Sequence, residues 1–157
     1  MPFVIRDFAP SDFDELWRID QDCFPPGIAY SKAELRFYVR RPGSFTLVAV
    51  KAPVASDNSP SAAPYAGFIV GEAVRRSGHI ITIDVVASTR RSGVGSLLLN
   101  AAEDRFRAVH CSSVELETAV DNVSALSFYK RHAYSVVKTS PRYYSNGVDA
   151  LVLQKML

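Results

Sequence analysis

Residues 90–99 read RRSGVGSLLL, and the β-branched stretch ITIDVVA (81–87) runs into them. Two arginines and two glycines therefore stand directly before a run of leucines. Glycine admits backbone conformations and close approaches that a side chain forbids. A helix N-terminus presents unpaired N–H groups and a partial positive charge, which favour an anion. Arg90 and Arg91 add full charges suited to a diphosphate. The same residues also suit a plain turn ahead of a helix. The stretch is not a P-loop, because no Gly-Lys-Ser/Thr follows, and the third glycine of a dinucleotide fingerprint is absent.

Downstream, SGVGSLLLNAAEDRFRAV (92–109) is a long helix, since Val94, Leu97, Leu98 and Ala101 repeat at helical spacing. SSVELETAV (112–120) alternates as a strand. NVSALSFYKRH (122–132) is a helix with Asn122 as cap and Ala125, Phe128, Tyr129 and His132 on one stripe. AYSVVKT (133–139) and VDALVLQKM (148–156) are strands around the loop SPRYYSNG (140–147). Upstream, FVIRDF (3–8) is a strand. PSDFDELWRIDQDCF (10–24) is a helix capped by Ser11 and broken by PPG (25–27). SKAELRFYVRR (31–41) is a helix capped by Ser31 and closed before Pro42-Gly43. SFTLVAVK (44–51), YAGFIVGEAV (65–74) and GHIITIDVVA (78–87) are strands. APVASDNSPSAAP (52–64) is a mobile surface loop between the first two of these, and RRSG (75–78) turns between the last two. The order β-α-α-β-β-β-α-β-α-β-β predicts an α/β (α+β) single domain over residues 1–157, with a mixed central sheet of about seven strands flanked by about four helices.

Composition narrows the function classes. With 18 basic and 16 acidic residues the net charge is +2, so any basic site must be local, and nucleic acid is not an expected partner. No apolar run approaches membrane-spanning length, and the N-terminus is too short and polar for a signal peptide, so no membrane partner is expected. Cys23 and Cys111 form neither a disulfide framework nor a metal-ligand spacing, which fits a reducing cytoplasm and no metal.

Two motifs together point further. Arg90, Gly93 and Gly95 form Arg-x-x-Gly-x-Gly after a middle strand, and about 30 residues on comes VELETAVDNVSALSFYKRHAYSVV (114–137). The chain here resembles the GNAT superfamily of acetyl-CoA-dependent N-acetyltransferases. The first motif resembles that family's pyrophosphate loop. DNVSALSFYKRHAY resembles its N-x-x-A-x-x-x-Y-x-x-x-G-F signature, with Asn122, Ala125 and Tyr129 in register. The resemblance covers nearly the whole chain and its element order. Within the superfamily, VELETAVDN, FYKRHAYSVV and PRYYSNGVDALVLQKML are similar to stretches of RimI-type protein N-terminal acetyltransferases, which act on ribosomal-protein alanine.

The resemblance implies a site. Backbone groups of Ile83, Val85 and Val86 would hold the pantetheine arm of acetyl-CoA. The pyrophosphate would sit at Arg90, Arg91, Ser92, Gly93, Val94, Gly95 and Ser96, and Asn122 would bond the cofactor arm. Glu117 matches the family's base, acting through water, and Tyr129 the tyrosine that donates to the leaving thiolate. The two substrates react side by side, with no covalent enzyme intermediate. Phe24 and Tyr30 fall in the acceptor-facing loop between the first two helices, and Tyr143 and Tyr144 line the acceptor groove. The implied partners are acetyl-CoA and a protein or peptide N-terminus, a ribosomal protein among the possibilities.

Each role has an alternative in the residues themselves. Glu117 also fits a solvated strand position, Tyr129 a core position, Tyr143 and Tyr144 a packed aromatic loop, and Asp84 is an alternative base. His79, His110 and His132 read as turn or surface residues. Four departures from the family pattern stand out: Ala133 for glycine, Ala87 for proline, the length of the 52–64 loop, and PPGIAYS (25–31) in the acceptor region. The last puts the substrate rather than the reaction in doubt. A small-molecule amine acceptor and a non-catalytic acyl-CoA-binding domain are the competing functions.

Overall fold

A computed structural model describes residues 3–52 and 64–157. The loop expected over 52–64 lies, apart from its two end residues, outside them. Seven strands, β1 (Phe3–Asp7), β2 (Ser44–Lys51), β3 (Tyr65–Val74), β4 (Ser77–Val85), β5 (Ser113–Ala119), β6 (Ser135–Ser140) and β7 (Ala150–Met156), form one sheet in the order β1-β2-β3-β4-β5-β7-β6. Only β4 and β5 pair in parallel. That is the pairing a crossover helix imposes, and α3 (Val94–Ala108) is the crossover. The mixed α/β order expected from the sequence is the order observed.

The sheet is covered on both faces. Phe13, Leu16 and Ile19 of α1 (Phe13–Cys23) and Leu35 of α2 (Lys32–Arg40) pack on Val48, Phe68 and Val70. On the other face, Val94, Leu98, Leu99, Ala102 and Phe106 of α3 join Tyr129 of α4 (Val123–Arg131) against Leu47, Ile69, Ile80, Val114, Leu116 and Leu153. Glu103, buried in this second core, is bonded by the Tyr134 hydroxyl (2.8 Å) and Lys155 Nζ (2.9 Å), tying α3 to β7 and to the segment entering β6. No helix among the described residues is long and apolar enough to cross a membrane.

The caps decide where the helices start. Ser31 Oγ accepts the Glu34 N–H (3.1 Å) while Glu34 Oε1 accepts the Ser31 N–H (2.9 Å), a reciprocal capping box. Asn122 Oδ1 accepts the Ala125 N–H (3.2 Å) at the start of α4. Ser11 does not cap α1 as expected. The chain enters through a 3₁₀ turn at Pro10–Asp12, and Asp12 stands at the N-cap position with no side-chain cap bond, its carboxylate instead accepting the Ala9 N–H (2.8 Å) and two bonds from Arg6.

Candidate active site

The sheet is split at its centre. β4 pairs with β5 only over Ser77–Ile80 against Ser113–Leu116, yet the strands continue to Val85 and Ala119. A bulge accompanies the split: Val70 pairs with Thr82 and Gly71 with Ile80, which leaves Ile81 as the extra residue. Beyond it, backbone groups that would bind β5 face an opening. The Val86 N–H donates to Ala66 C=O (2.8 Å), so by strand alternation the backbones of Ile83 and Val85 face the opening. Val86 C=O is likewise occupied, by Thr89 N–H and hydroxyl. Of the three residues expected along the pantetheine arm, only Ile83 and Val85 therefore turn their backbones towards the opening.

Below the opening lies the loop of the glycine motif. Arg91 (φ +63°) and Gly93 (φ +89°) are left-handed, and α3 begins at Val94. Its first helical bond runs from Leu97 N–H to Gly93 C=O, so the amides of Val94, Gly95 and Ser96 have no acceptor within the helix. A side chain at 95 would meet the Phe128 ring at 3.2 Å, so glycine lets α4 pack against this turn. Helix-end amides with no acceptor in the helix, a left-handed concavity and Arg91 fit a diphosphate. Arg90 folds back instead: its Nε–H donates to Val85 C=O (3.2 Å) and its Nη2 approaches Cys23 Sγ (3.7 Å). The Ser92 hydroxyl bonds Thr89 C=O. Ser96 Oγ lies 2.9 Å from His132 Nε2, which gives this histidine a partner at the α3–α4 junction rather than a free surface position.

On the α1/α2 side of the opening, Glu117 Oε1 sits 2.7 Å from His79 Nε2, and the Tyr143 hydroxyl donates to the same oxygen at 3.4 Å. Glu117 is thus engaged, not merely solvated. His79 is not a turn residue and is only half-exposed. It is a strand residue, and burial alone would lower its pKa. The Glu117 hydrogen bond and the fields of Glu117, Glu115 and Glu72 outweigh that and raise it. Its place beside Glu117 depends on the β4–β5 register, which no local pattern encodes. Burial, then the Glu117 field, pushes the Tyr143 phenol up to about 12. Tyr129 is buried and its pKa rises for the same first reason, with Asp84 and Tyr144 adding to it, so the phenol keeps its proton.

Two loops wall this cluster. Ser145 Oγ–H donates to Gly27 C=O (2.9 Å), joining the Tyr143–Tyr144 loop to the loop of Phe24 and Tyr30. The Tyr30 hydroxyl reaches Ile81 C=O at the bulge (3.3 Å), and Tyr143 and Tyr144 stack edge-on at 4.9 Å. Phe24 is half-buried just beyond the end of α1. Asp84 is not placed as a base: it is 1% exposed and accepts the Thr82 hydroxyl at 2.6 Å. Among the described residues no group of three or more His, Cys, Asp or Glu is arranged to hold a metal.

A parallel strand pair that parts beside a helix N-terminus with unpaired amides, with a Glu–His–Tyr cluster where it parts, is the layout of an acyl-CoA-dependent transferase. Residues 13–134 match the profile of the Acetyltransferase (GNAT) family, and the chain belongs to that family. It is an acetyl-CoA-dependent N-acetyltransferase.

The relatives agree. The uncharacterized N-acetyltransferase MJ1530 of Methanocaldococcus jannaschii is 31% identical over 97% of this chain and 90% of its own length. N-alpha-acetyltransferase 30 of Saccharomyces cerevisiae is 30% identical over 86% of this chain and 75% of its own. Among solved structures, Ard1 from Thermoplasma volcanium superposes with a TM-score of 0.84 at 29% identity, over 100% of this chain and 99% of that one. A chain of the NatC complex, solved with Gag peptide and CoA, gives 0.79 at 27%, over 100% and 99%. The Escherichia coli ribosomal-protein-S18-alanine N-acetyltransferase gives 0.78 at 18%, over 98% and 93%, a likeness of fold alone. The RimI-type resemblance is therefore distant, and relatives named N-alpha-acetyltransferase are more similar in sequence.

Proposed function

We propose that residues 1–157 act as one domain that acetylates the α-amine of a protein or peptide N-terminus. One observation carries this reading. The Glu117–His79–Tyr143 cluster sits where β4 and β5 part, and two separate loops joined by the Ser145–Gly27 bond form its walls. Two loops around an open mouth suit the end of a chain, whereas a small amine suits a closed pocket. The N-alpha-acetyltransferase relatives support the same class.

Acetyl-CoA would supply the activated acetyl group, and the CoA released on transfer is a thiolate that needs a proton. Ile83 offers its backbone, and Val85 its N–H, to the arm. The amides of Val94, Gly95 and Ser96, with Arg91, offer bonds to its diphosphate, and the side-chain amide of Asn122 remains free to donate. Glu117, steadied by His79, receives the proton of the acceptor ammonium through a water. An α-amine titrates near ~8, so this is a mild demand. Tyr129 holds the proton that the sulfur takes. Each contribution depends on fixed geometry rather than on a covalent enzyme intermediate. The free thiols Cys23 and Cys111 suit a reducing cytoplasm.

The test is acetylation of a peptide library with the modified atom located by mass spectrometry, including peptides that begin with alanine as the RimI-type resemblance implies. Acetyl groups on N-termini support the proposal. Products confined to lysine side chains or free small amines overturn it.

A further inference from the structure

Asp20 of α1 and Asp84 of β4 are both buried, at 0% and 1% exposure, beneath the loop that carries Tyr30. Each has one oxygen satisfied: Asp84 Oδ1 accepts the Thr82 hydroxyl (2.6 Å), and Asp20 Oδ2 accepts the Tyr30 N–H (2.8 Å). The other two oxygens, Asp20 Oδ1 and Asp84 Oδ2, find no donor among the described residues. Cys23, one turn along α1 from Asp20, meets Val85 C=O (3.4 Å) beside Asp84, and this contact brings the two buried carboxyl side chains together between α1 and β4. Two bare carboxylates in one dry site repel, whereas one shared proton turns the contact into a short acid–carboxylate bond and satisfies both orphaned oxygens.

We propose that Asp84 carries this proton and donates it to Asp20 Oδ1, making the pair a latch that positions Tyr30. The neighbours leave it that work. Cys23 of α1 is a neutral thiol, held up to about 11 by burial and then by Asp84. Arg90 turns its guanidinium to Val85 C=O and Cys23 Sγ. Tyr129 of α4 is a buried phenol, and Glu34 of α2 adds only like charge towards Asp20. Burial, with the partner carboxyl adding to it, holds Asp84 well above the usual carboxylate range.

The latch sits at the root of a longer clamp. Asp20 holds the Tyr30 N–H, Trp17 Nε1–H (3.1 Å) and Gln21 Nε2–H (2.7 Å) hold the Tyr30 C=O, and the Tyr30 hydroxyl reaches the β4 bulge. A proton shared between α1 and β4 thus fixes a tyrosine of the acceptor wall; this last link rests on the proposed acceptor side.

Three readouts test it on the full chain. Infrared spectra at neutral pH should show a protonated-carboxyl band that Asp84→Asn removes; no such band in the unsubstituted protein overturns the proposal. Thermal unfolding from about pH 5 to about pH 9 should show the unsubstituted protein losing stability relative to Asp84→Asn as pH rises, because only its folded state keeps the proton. Parallel curves overturn the proposal. With an acceptor peptide, Asp84→Ala should raise the peptide KM several-fold and leave the acetyl-CoA KM nearly unmoved, and Asp84→Asn, whose amide still donates to Asp20, should restore it. Equal effects of Ala and Asn overturn the positioning role. If Asp84→Ala does not fold, the Asn comparison carries the first two readouts. Those two need no acceptor, so they separate failure of the latch from failure of the assigned function.

Discussion

Tyr129 and His79, both assigned to the proposed site, are governed by opposite electrostatic balances. Burial raises the phenol and keeps it a donor. Replacing Tyr129 with Phe keeps the ring in the core and removes only the donor. It should lower kcat on the order of 10²-fold and leave the acetyl-CoA KM nearly unchanged; steady-state kinetics with varied acetyl-CoA separates the two. An unchanged kcat would take Tyr129 out of the chemistry. His79 is raised above its unfolded value of about 6.5 because Glu117 outweighs burial. Its imidazolium therefore adds stability that is complete below that value and lost as pH rises through the folded one. His79→Gln should remove this dependence, so the stability gap between the two proteins should narrow from about pH 6 to about pH 9. Chemical denaturation across that range measures it, and a gap that stays constant would show that His79 titrates as if free.

At the scale of elements, the end of α4 shows what a sequence pattern carries and what it leaves out. Tyr134 N–H bonds Tyr129 C=O (3.0 Å) and Ala133 N–H bonds Lys130 C=O (3.1 Å) around a left-handed Ala133 (φ +70°). That is a Schellman motif, with the Tyr129 and Tyr134 rings 5.9 Å apart. Alanine thus keeps the turn that the family builds with glycine, at a conformational cost. Ala133→Gly should stabilise the fold by about 1 kcal/mol, seen as a rise in Tm of about 2–4 °C; no rise would place the strain elsewhere. Asn122 is a separable case, because its oxygen caps α4 while its amide is assigned to the cofactor arm. Asn122→Ser should keep the cap and raise the acetyl-CoA KM, whereas Asn122→Ala should also lose about 1 kcal/mol of stability.

Strand and helix order, the Ser31 and Asn122 caps and the glycine loop were legible because each is written in spacing or turn chemistry within about a dozen residues. The His79–Glu117 contact, the fold-back of Arg90 and the Asp20–Asp84 pair were not. Each joins segments far apart in the chain, and each depends on register or on a bulge such as that at Ile81. Asp20 lies with Phe13, Leu16 and Ile19 on the buried face of α1, where a single sequence offers no reason to look for its partner.

Across the whole molecule, the split at Ile80 leaves the sheet held together past that point by the two cores that flank it rather than by strand pairing. A ligand whose arm lies between β4 and β5 and whose diphosphate caps α3 would join the two strands past Ile80, where they do not pair. Binding that favours only the folded state stabilises by about 2.7 kcal/mol at a hundredfold excess over Kd. For a chain of this size that is about 5–10 °C in Tm. Acetyl-CoA and CoA should both produce the shift, and ATP, which lacks the pantetheine arm, should produce much less. Gly93→Ala forces a Cβ into a left-handed residue and should cost about 1–2 kcal/mol without ligand. It should also shrink the acetyl-CoA shift, because the amides that follow residue 93 lose their aim. Differential scanning fluorimetry of both proteins with the three ligands decides the matter. An equal shift with ATP would move the ligand out of the split, and an undiminished shift in Gly93→Ala would move the diphosphate away from the RRSGVGS loop.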